Sequence, residues 1–311
     1  MILGIDTSNY TTSVALYDEK NNKMYSFKKL LPVKQGEKGL RQSDAVFHHT
    51  MQMRDLLKSA YDVSRNITAI GVSVRPCDFE GSYMPCFMVG QTVAKAIAGA
   101  LNAPLYEFSH QRGHIAAALF SADRLDLIGK KFAAFHFSGG TSDALLVSGD
   151  DDLILSVKVI AQSSDLKAGQ AIDRAGVMLG LPFPSGKYID RMAQNSDAEY
   201  RIKPSFSYGN PSFSGIENKC KKLLDDGTAP NDIAKFVVSY IAKAVDTMTA
   251  DIIGKYGDIP LIYAGGVMCN TTIRKVISSK YKCSFAEPEF SSDNAAGSAV
   301  LASVKERTNE C

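Results

Sequence analysis

Ile2-Leu3-Gly4-Ile5 is an apolar run, Asp6-Thr7-Ser8-Asn9-Tyr10-Thr11-Thr12 a polar turn, and Ser13-Val14-Ala15-Leu16 a second apolar run. This reads as strand, turn, strand. The pattern returns far downstream. Phe132–Phe137 is apolar apart from His136, Ser138-Gly139-Gly140-Thr141-Ser142 is the turn, and Ala144–Val147 the return strand. Two like hairpins this far apart point to a duplicated domain rather than a short-period repeat.

Helical stretches lie around and between them. Ser43 is expected to cap a helix running to about Val63, with Val46, Thr50, Met53, Leu57 and Ala60 on one face. Residues 69–74 read as a strand, and the Ala-rich run 90–101 as a helix. A long helix is expected over about 231–255, its stripe of Ile233, Phe236, Val237, Tyr240, Ile241, Ala244 and Met248 facing a core. Residues 259–264 read as a strand ending in Gly265-Gly266, with Pro260 marking an edge or a strand start. An Ala-rich helix over 293–303 closes the pattern.

The chain has 311 residues, 45% hydrophobic and 22% charged, enough apolar material for one large or two ordinary domains. No apolar run approaches the roughly 20 residues that span a bilayer. The start lacks a basic segment and a cleavage pattern, so a cytoplasmic chain without membrane association is expected. Six cysteines, at 77, 86, 220, 269, 283 and 311, form no CxxC pair and read as reduced thiols, mostly buried. A net charge of +2 is too small to argue by itself for nucleic acid. The basic clusters Lys28-Lys29, Lys130-Lys131 and Lys219 with Lys221-Lys222 read as solvated surface.

Gly-, Ser- and Thr-rich turns at 6–12, 138–142 and 265–270 can offer N–H groups and hydroxyls to phosphate oxygens, or be ordinary turns. Together they resemble the α/β fold shared by actin, heat-shock ATPases and sugar kinases. In that fold two related domains hold a nucleotide in a cleft between them. The expected division is 1–108 and 109–292, with the C-terminal helix over 293–311 packing on the first domain. His110 and His114, four apart, share a helix face and can hold one metal ion, or be plain surface or core histidines. Asp293, in Ser291-Ser292-Asp293-Asn294, is a candidate third ligand, or a plain helix cap.

The set of motifs resembles the threonylcarbamoyl-transferase (TsaD, glycoprotease) family over nearly the whole chain. Asp6-Thr7-Ser8 matches its E/D-T-S turn, His110-Gln111-Arg112-Gly113-His114 its H-x-x-x-H helix, and Ser138-Gly139-Gly140 its S-G-G turn. Gly169-Gln170-Ala171-Ile172-Asp173 and Pro184-Ser185-Gly186 resemble G-E-A-F-D and P-G-G. Phe213-Ser214-Gly215-Ile216-Glu217 resembles F-S-G-L-K. Gly265-Gly266-Val267-Met268-Cys269-Asn270 and Asp293-Asn294-Ala295 complete the series.

The resemblance implies one divalent ion, iron or zinc, on His110, His114 and Asp293. It implies an adenine nucleotide or acyl-adenylate on Ser138, Gly139, Gly140, Asp173, Gly186, Asp190 and Asn270. The implied reaction moves a threonylcarbamoyl group from its adenylate to N6 of a tRNA adenosine in the anticodon loop. The implied partners are tRNA, a small paralogous subunit and an ATPase. Several positions depart from the family pattern. T-S-C-D-E-T becomes Thr7-Ser8-Asn9-Tyr10-Thr11-Thr12, without its two carboxylates. S-G-G-H-T loses its His at Thr141, and the Lys of F-S-G-L-K is Glu217. The G-P-G-L-x-G loop is replaced by Arg75-Pro76-Cys77-Asp78-Phe79-Glu80-Gly81. No catalytic residue is assigned; Asp6 and Thr11 are the weak candidates. The alternatives are a paralogous carbamoyl transferase with another acceptor, or a nucleotide-binding scaffold without transfer activity.

Overall fold

The structure, a computed structural model, describes residues 1–8, 10–32, 40–291 and 295–310. They form two units: Met1–Gly129 with Gly149–Ser156 and Glu289–Cys311, and Lys130–Ser148 with Val157–Pro288.

In the first unit, β1 (Ile2–Asp6) pairs antiparallel with β2 (Thr11–Asp18), placing Ile2 opposite Tyr17 and Asp6 opposite Ser13. β2 pairs antiparallel with β3 (Lys23–Leu30). After α1 (Gln42–Val63), β4 (Ala69–Arg75) runs parallel to β1. After α2 (Phe87–Leu101), β5 (Leu105–Ser109) runs parallel to β4 and leads into α3 (His110–Ser121). The sheet order is β3-β2-β1-β4-β5.

β1 is a continuous apolar run because both of its faces are buried. Leu3 and Ile5 join a cluster with Met53, Leu56 and Ala60 of α1 and Ala94 and Ala98 of α2. On the other face lies α9 (Ala296–Glu310). A Cβ on Gly4 would come within 2.3 Å of the Ala295 carbonyl oxygen. The helix therefore seats on the sheet where side chains are absent.

The second unit repeats the plan. β6 (Phe132–Phe137) pairs antiparallel with β7 (Ser142–Asp150), which neighbours β8 (Ile154–Gln162). α4 (Ala168–Met178), α5 (Gly186–Gln194), the short hairpin β9 (Ser205–Ser207) and β10 (Asn210–Ser212), α6 (Gly215–Asp225) and α7 (Pro230–Tyr256) follow. β11 (Leu261–Ala264) then runs parallel to β6. α8 (Thr271–Ser278) leads to β12 (Cys283–Phe285), parallel to β11. The order β8-β7-β6-β11-β12 repeats that of the first sheet, strand for strand. The α7 stripe is core as expected: all seven of its residues are at most 5% exposed.

One local expectation is corrected. α1 starts at Gln42 without a side-chain cap, so Ser43 lies inside the helix. Its buried face is Ala45, His49, Gln52, Met53, Leu56 and Ala60, which keeps Met53 and Ala60 of the expected stripe and replaces Val46, Thr50 and Leu57. Polar His49 and Gln52 are drawn inward by Thr12. The Thr12 hydroxyl lies 2.8 Å from His49 Nδ1 and donates to Gln52 Oε1 at 2.7 Å, and Gln52 Nε2 donates to the Leu30 carbonyl at 2.9 Å. Apolar periodicity cannot register such a stripe. Of the two readings of Pro260, the strand start holds: it stands directly before β11, which lies inside the sheet between β12 and β6, and its carbonyl accepts from Ala133 N at 2.9 Å. Among the described residues there is no disulfide, and of the five described cysteines only Cys86 and Cys220 are fully buried. No described helix is long and apolar enough to cross a membrane.

Candidate functional site

Two groups of polar residues stand out, one in each unit. In the first, the β1–β2 turn is drawn into the protein: Asp6, Thr7 and Ser8 are at most 1% exposed. Asp6 Oδ1 accepts from Ser8 N at 2.9 Å and Ser8 Oγ at 2.5 Å, and Asp6 Oδ2 sits 2.8 Å from His110 Nδ1. Thr7 Oγ1 donates to the Cys86 carbonyl at 2.9 Å and accepts from Gly90 N at 3.1 Å, tying the turn to the start of α2. Burial raises the Asp6 pKa, but the charge of His110 and hydrogen bonds from His110, Ser73 and Ser8 outweigh it, so the net shift is downward.

His110 and His114 stand one turn apart on α3, with ring centroids 4.2 Å apart. Asp6 occupies Nδ1 of His110, which assigns Nε2 to any ion. This is the carboxylate–histidine arrangement that orients metal ligands. The donor chemistry therefore suits a divalent ion. Asp293, the expected third ligand, lies outside the described residues, and the described residues alone supply no cluster of three metal ligands. Thr11, on β2, is buried, and its amide donates to the Ser8 carbonyl at 3.2 Å.

The sequence reading missed Asp78, in the loop that departs from the family pattern. Its carboxylate accepts from Ser109 Oγ at 2.9 Å and meets Arg112 Nε at 3.0 Å and Arg75 Nη2 at 3.3 Å. Ser109 caps α3, and Arg112 is 3% exposed between the two histidines in sequence. Asp78 thus anchors the loop to the helix that carries them. An Arg inside an H-x-x-x-H helix was the available signal, since buried guanidinium needs a carboxylate.

In the second unit the β6–β7 turn is open, with Gly139 and Gly140 exposed. Ser138 holds its shape: Oγ accepts from Gly140 N at 3.2 Å and Thr141 N at 3.1 Å, and the Ser138 carbonyl accepts from Gly169 N at 3.1 Å. Gly169 is required here, because a Cβ would lie 2.6 Å from that carbonyl oxygen and 2.7 Å from Gly139 N. Beside the turn lies a cavity of about 400 Å³ lined by Gly139, Asp173, Gly186, Lys187 and Gly266, among others.

Three of the sequence candidates, Gly139, Asp173 and Gly186, therefore share one cavity. Asp173 Oδ1 accepts from Ser185 N at 2.7 Å, which fixes the loop before α5. Burial raises the Asp173 pKa and that hydrogen bond only partly opposes the shift. Ser138, Gly140, Asp190 and Asn270 are not in the lining. Asp190 accepts from Thr271 N at 3.1 Å and Thr271 Oγ1 at 2.9 Å, and Asn270 caps α8 by accepting from Ile273 N at 3.0 Å. Asp190 thus ties α5 to the start of α8, the helix that Asn270 caps. The arrangement offers close backbone approach at Gly139, Gly186 and Gly266, with one cation and one carboxylate, which suits a phosphorylated ligand bearing hydroxyls.

A family model described as TsaD, tRNA N6-adenosine threonylcarbamoyltransferase, matches residues 42–300. The chain belongs to this family.

Solved structures share its fold at low identity. Component A of (R)-2-hydroxyglutaryl-CoA dehydratase from Acidaminococcus fermentans is 14% identical, with a TM-score of 0.58 over 98% of both chains. Full-length HypF, in a phosphate- and nucleotide-bound form, is 12% identical with a TM-score of 0.58, covering 100% of this chain and 46% of HypF. A ROK family glucokinase from Streptomyces griseus, in complex with glucose and AMPPNP, is 13% identical with a TM-score of 0.51, covering 97% of this chain and 98% of the kinase. The fold is that of actin, heat-shock ATPases and sugar kinases.

The first turn lies outside the matched residues 42–300 and departs from the family pattern. Tyr10 and Thr11 stand where the family has two carboxylates, and Tyr10 is 43% exposed. The changed loop at Arg75–Gly81 and the changed turn both belong to the first unit.

Proposed function

We propose that the chain transfers a threonylcarbamoyl group from its adenylate to N6 of a tRNA adenosine. The family match over residues 42–300 carries this reading. The cavity beside the Ser138 turn supports it, with Gly139, Gly186 and Gly266 able to bring N–H groups to phosphate oxygens. In this reading Lys187 balances the phosphate charge and Asp173 accepts hydrogen bonds from ribose hydroxyls.

His110, His114 and Asp293 would hold one divalent ion, iron or zinc by ligand softness. When bound, such an ion polarises a carbonyl or phosphoryl oxygen. The chain's own contribution there is orientation. Asp6 fixes the His110 ring through Nδ1, and Asp78 fixes the helix that bears both histidines. Asp6 is a poor general base, since its pKa is lowered and both of its oxygens are engaged.

The test is nucleoside mass spectrometry of tRNA from a strain lacking the usual enzyme and carrying this chain. Return of the modified adenosine supports the reading, and its absence with folded protein present overturns it. One observation favours a second reading, a related carbamoyl transferase with another acceptor: the turn that carries two carboxylates in the family offers Tyr10 and Thr11 here. In that case the nucleotide cavity is occupied but tRNA stays unmodified.

A further inference from the structure

The second unit holds another cavity, of about 420 Å³, built from three elements. The segment 200–203 supplies Tyr200, Arg201 and Lys203, α6 supplies Lys219 and Lys222, and α7 supplies Phe236 and Tyr240 beneath them. Lys219 and Lys222 are three apart and so share a face of α6. All four cations are exposed, and Asp226 is the one carboxylate in the lining.

None of the four forms an ion pair among the described residues. Cations elsewhere in the unit do: Lys243 and Lys280 both meet Asp246, at 2.8 and 2.9 Å, and Arg174 meets Glu217 at 2.7 Å. The rings are fixed in place by packing and hydrogen bonds. Tyr200 and Phe236 pack edge to face at 5.4 Å, and Phe236 and Tyr240 are 6.1 Å apart. Tyr200 OH donates to the Asp232 carbonyl at 3.0 Å. Tyr240 OH accepts from Ser205 N at 2.9 Å and donates to the Ser212 carbonyl at 3.2 Å. The hydroxyls are thus engaged in the fold, leaving the cavity an apolar ring side under a cationic rim.

We propose that this cavity binds a single-stranded RNA segment, its phosphates on Arg201, Lys203, Lys219 and Lys222 and a base or ribose against the Tyr200 side. Cations that track a backbone beside aromatic rings are the recurring form of a single-strand site. Four cations against the single carboxylate of Asp226, spread over the segment 200–203 and α6, suit several phosphates rather than one. The choice of RNA rests on the proposed transfer to tRNA; the charge and ring pattern stand without it.

The full-length chain is titrated with a fluorescent single-stranded RNA dodecamer at about 50 mM salt and above. Lys219→Glu/Lys222→Glu is compared with Lys58→Glu/Lys158→Glu, an equal charge change at exposed lysines outside the cavity. The cavity variant is expected to bind at least about tenfold more weakly, with a salt slope shallower by about 0.7 for each phosphate it no longer neutralises. The other variant is expected within about threefold of wild type. Equal loss in both variants, no loss in the cavity variant, or full displacement of RNA by millimolar inorganic phosphate overturns the proposal. Wild type that modifies tRNA while the cavity variant binds RNA normally refutes this site alone. Wild type that binds no RNA overturns the site, and the transfer reaction is then decided by the tRNA mass spectrometry alone.

Discussion

The turns of β1–β2 and β6–β7 occupy equivalent places in two sheets of the same strand order, yet their polar groups are used in opposite ways. Asp6, Thr7 and Ser8 are sealed inside, hydrogen-bonded to His110, Cys86 and Gly90. The Ser138 hydroxyl makes its bonds within its own turn and leaves Gly139 and Gly140 exposed beside a cavity. A carboxylate and hydroxyls on β-carbons reach neighbouring elements and become internal struts. Glycines have nothing to reach with, so their backbone is left for a ligand. One hairpin plan thus yields a strut in one unit and a cradle in the other.

The largest expected effect breaks the strut. Asp6→Ala removes a buried acceptor from His110, Ser8 and Ser73, and should lower the unfolding free energy by about 3 kcal/mol in a denaturant titration. Ser138→Ala, the matching change in the open turn, should cost about 1 kcal/mol, since water can replace its bonds. Equal losses would mean that the two turns do not differ as described.

Next comes the cradle's support. Gly169→Ala places a Cβ against backbone atoms of Ser138 and Gly139. A loss of about 2 kcal/mol in stability is expected from overpacking, and calorimetry should show weaker adenine-nucleotide binding. Stability unchanged by this substitution would show that the turn can move freely away from α4. Asp173→Ala should act on the ligand more than on the fold, weakening nucleotide affinity by about 1.5 kcal/mol, roughly tenfold. Unchanged affinity would remove Asp173 from the site and leave it as the anchor of the Ser185 loop.

Much of this contrast was legible in the sequence, because hairpins and glycine turns announce themselves locally. Both turns, the α7 stripe and the glycine-rich cavity residues were read from pattern or motif. What was not legible depends on polar groups that find partners far along the chain. His49 and Gln52 rotate the buried face of α1 toward Thr12, some forty residues away. Asp78 anchors α3 from a loop that matches no motif. Asp190 and Asn270 were singled out by resemblance as ligand residues, and their visible bonds are to Thr271 and Ile273. A motif marks where a residue stands; which of its neighbours it bonds is settled only by the fold.

Asp165 makes the last and smallest test, and it too was invisible in the sequence. It stands just before α4, the helix against which the open turn rests, and gathers the loop at Ser212–Ser214. Its Oδ1 accepts from Phe213 N at 2.8 Å, and its Oδ2 accepts from Ser212 Oγ at 2.6 Å, Ser214 N at 3.2 Å and Ser214 Oγ at 2.5 Å. Burial alone would raise its pKa, but the serine hydroxyls and backbone amides outweigh burial and hold it at about 2. The folded value lies below the unfolded one, so the folded state favours the ionised form. The stabilisation is then full above the unfolded pKa, near 3.9, and is lost as pH falls from there through about 2. The carboxylate is exposed, so solvent screens the effect to under about 1 kcal/mol. Asp165→Asn should therefore cost little at pH 7, flatten the fall in stability between about pH 4 and 2, and leave the β1–β2 strut untouched. Denaturant titrations across that window decide it. A variant with the wild-type acid slope would show that the Ser212–Ser214 loop is held without this carboxylate, and that the cradle's support lies elsewhere in the second unit.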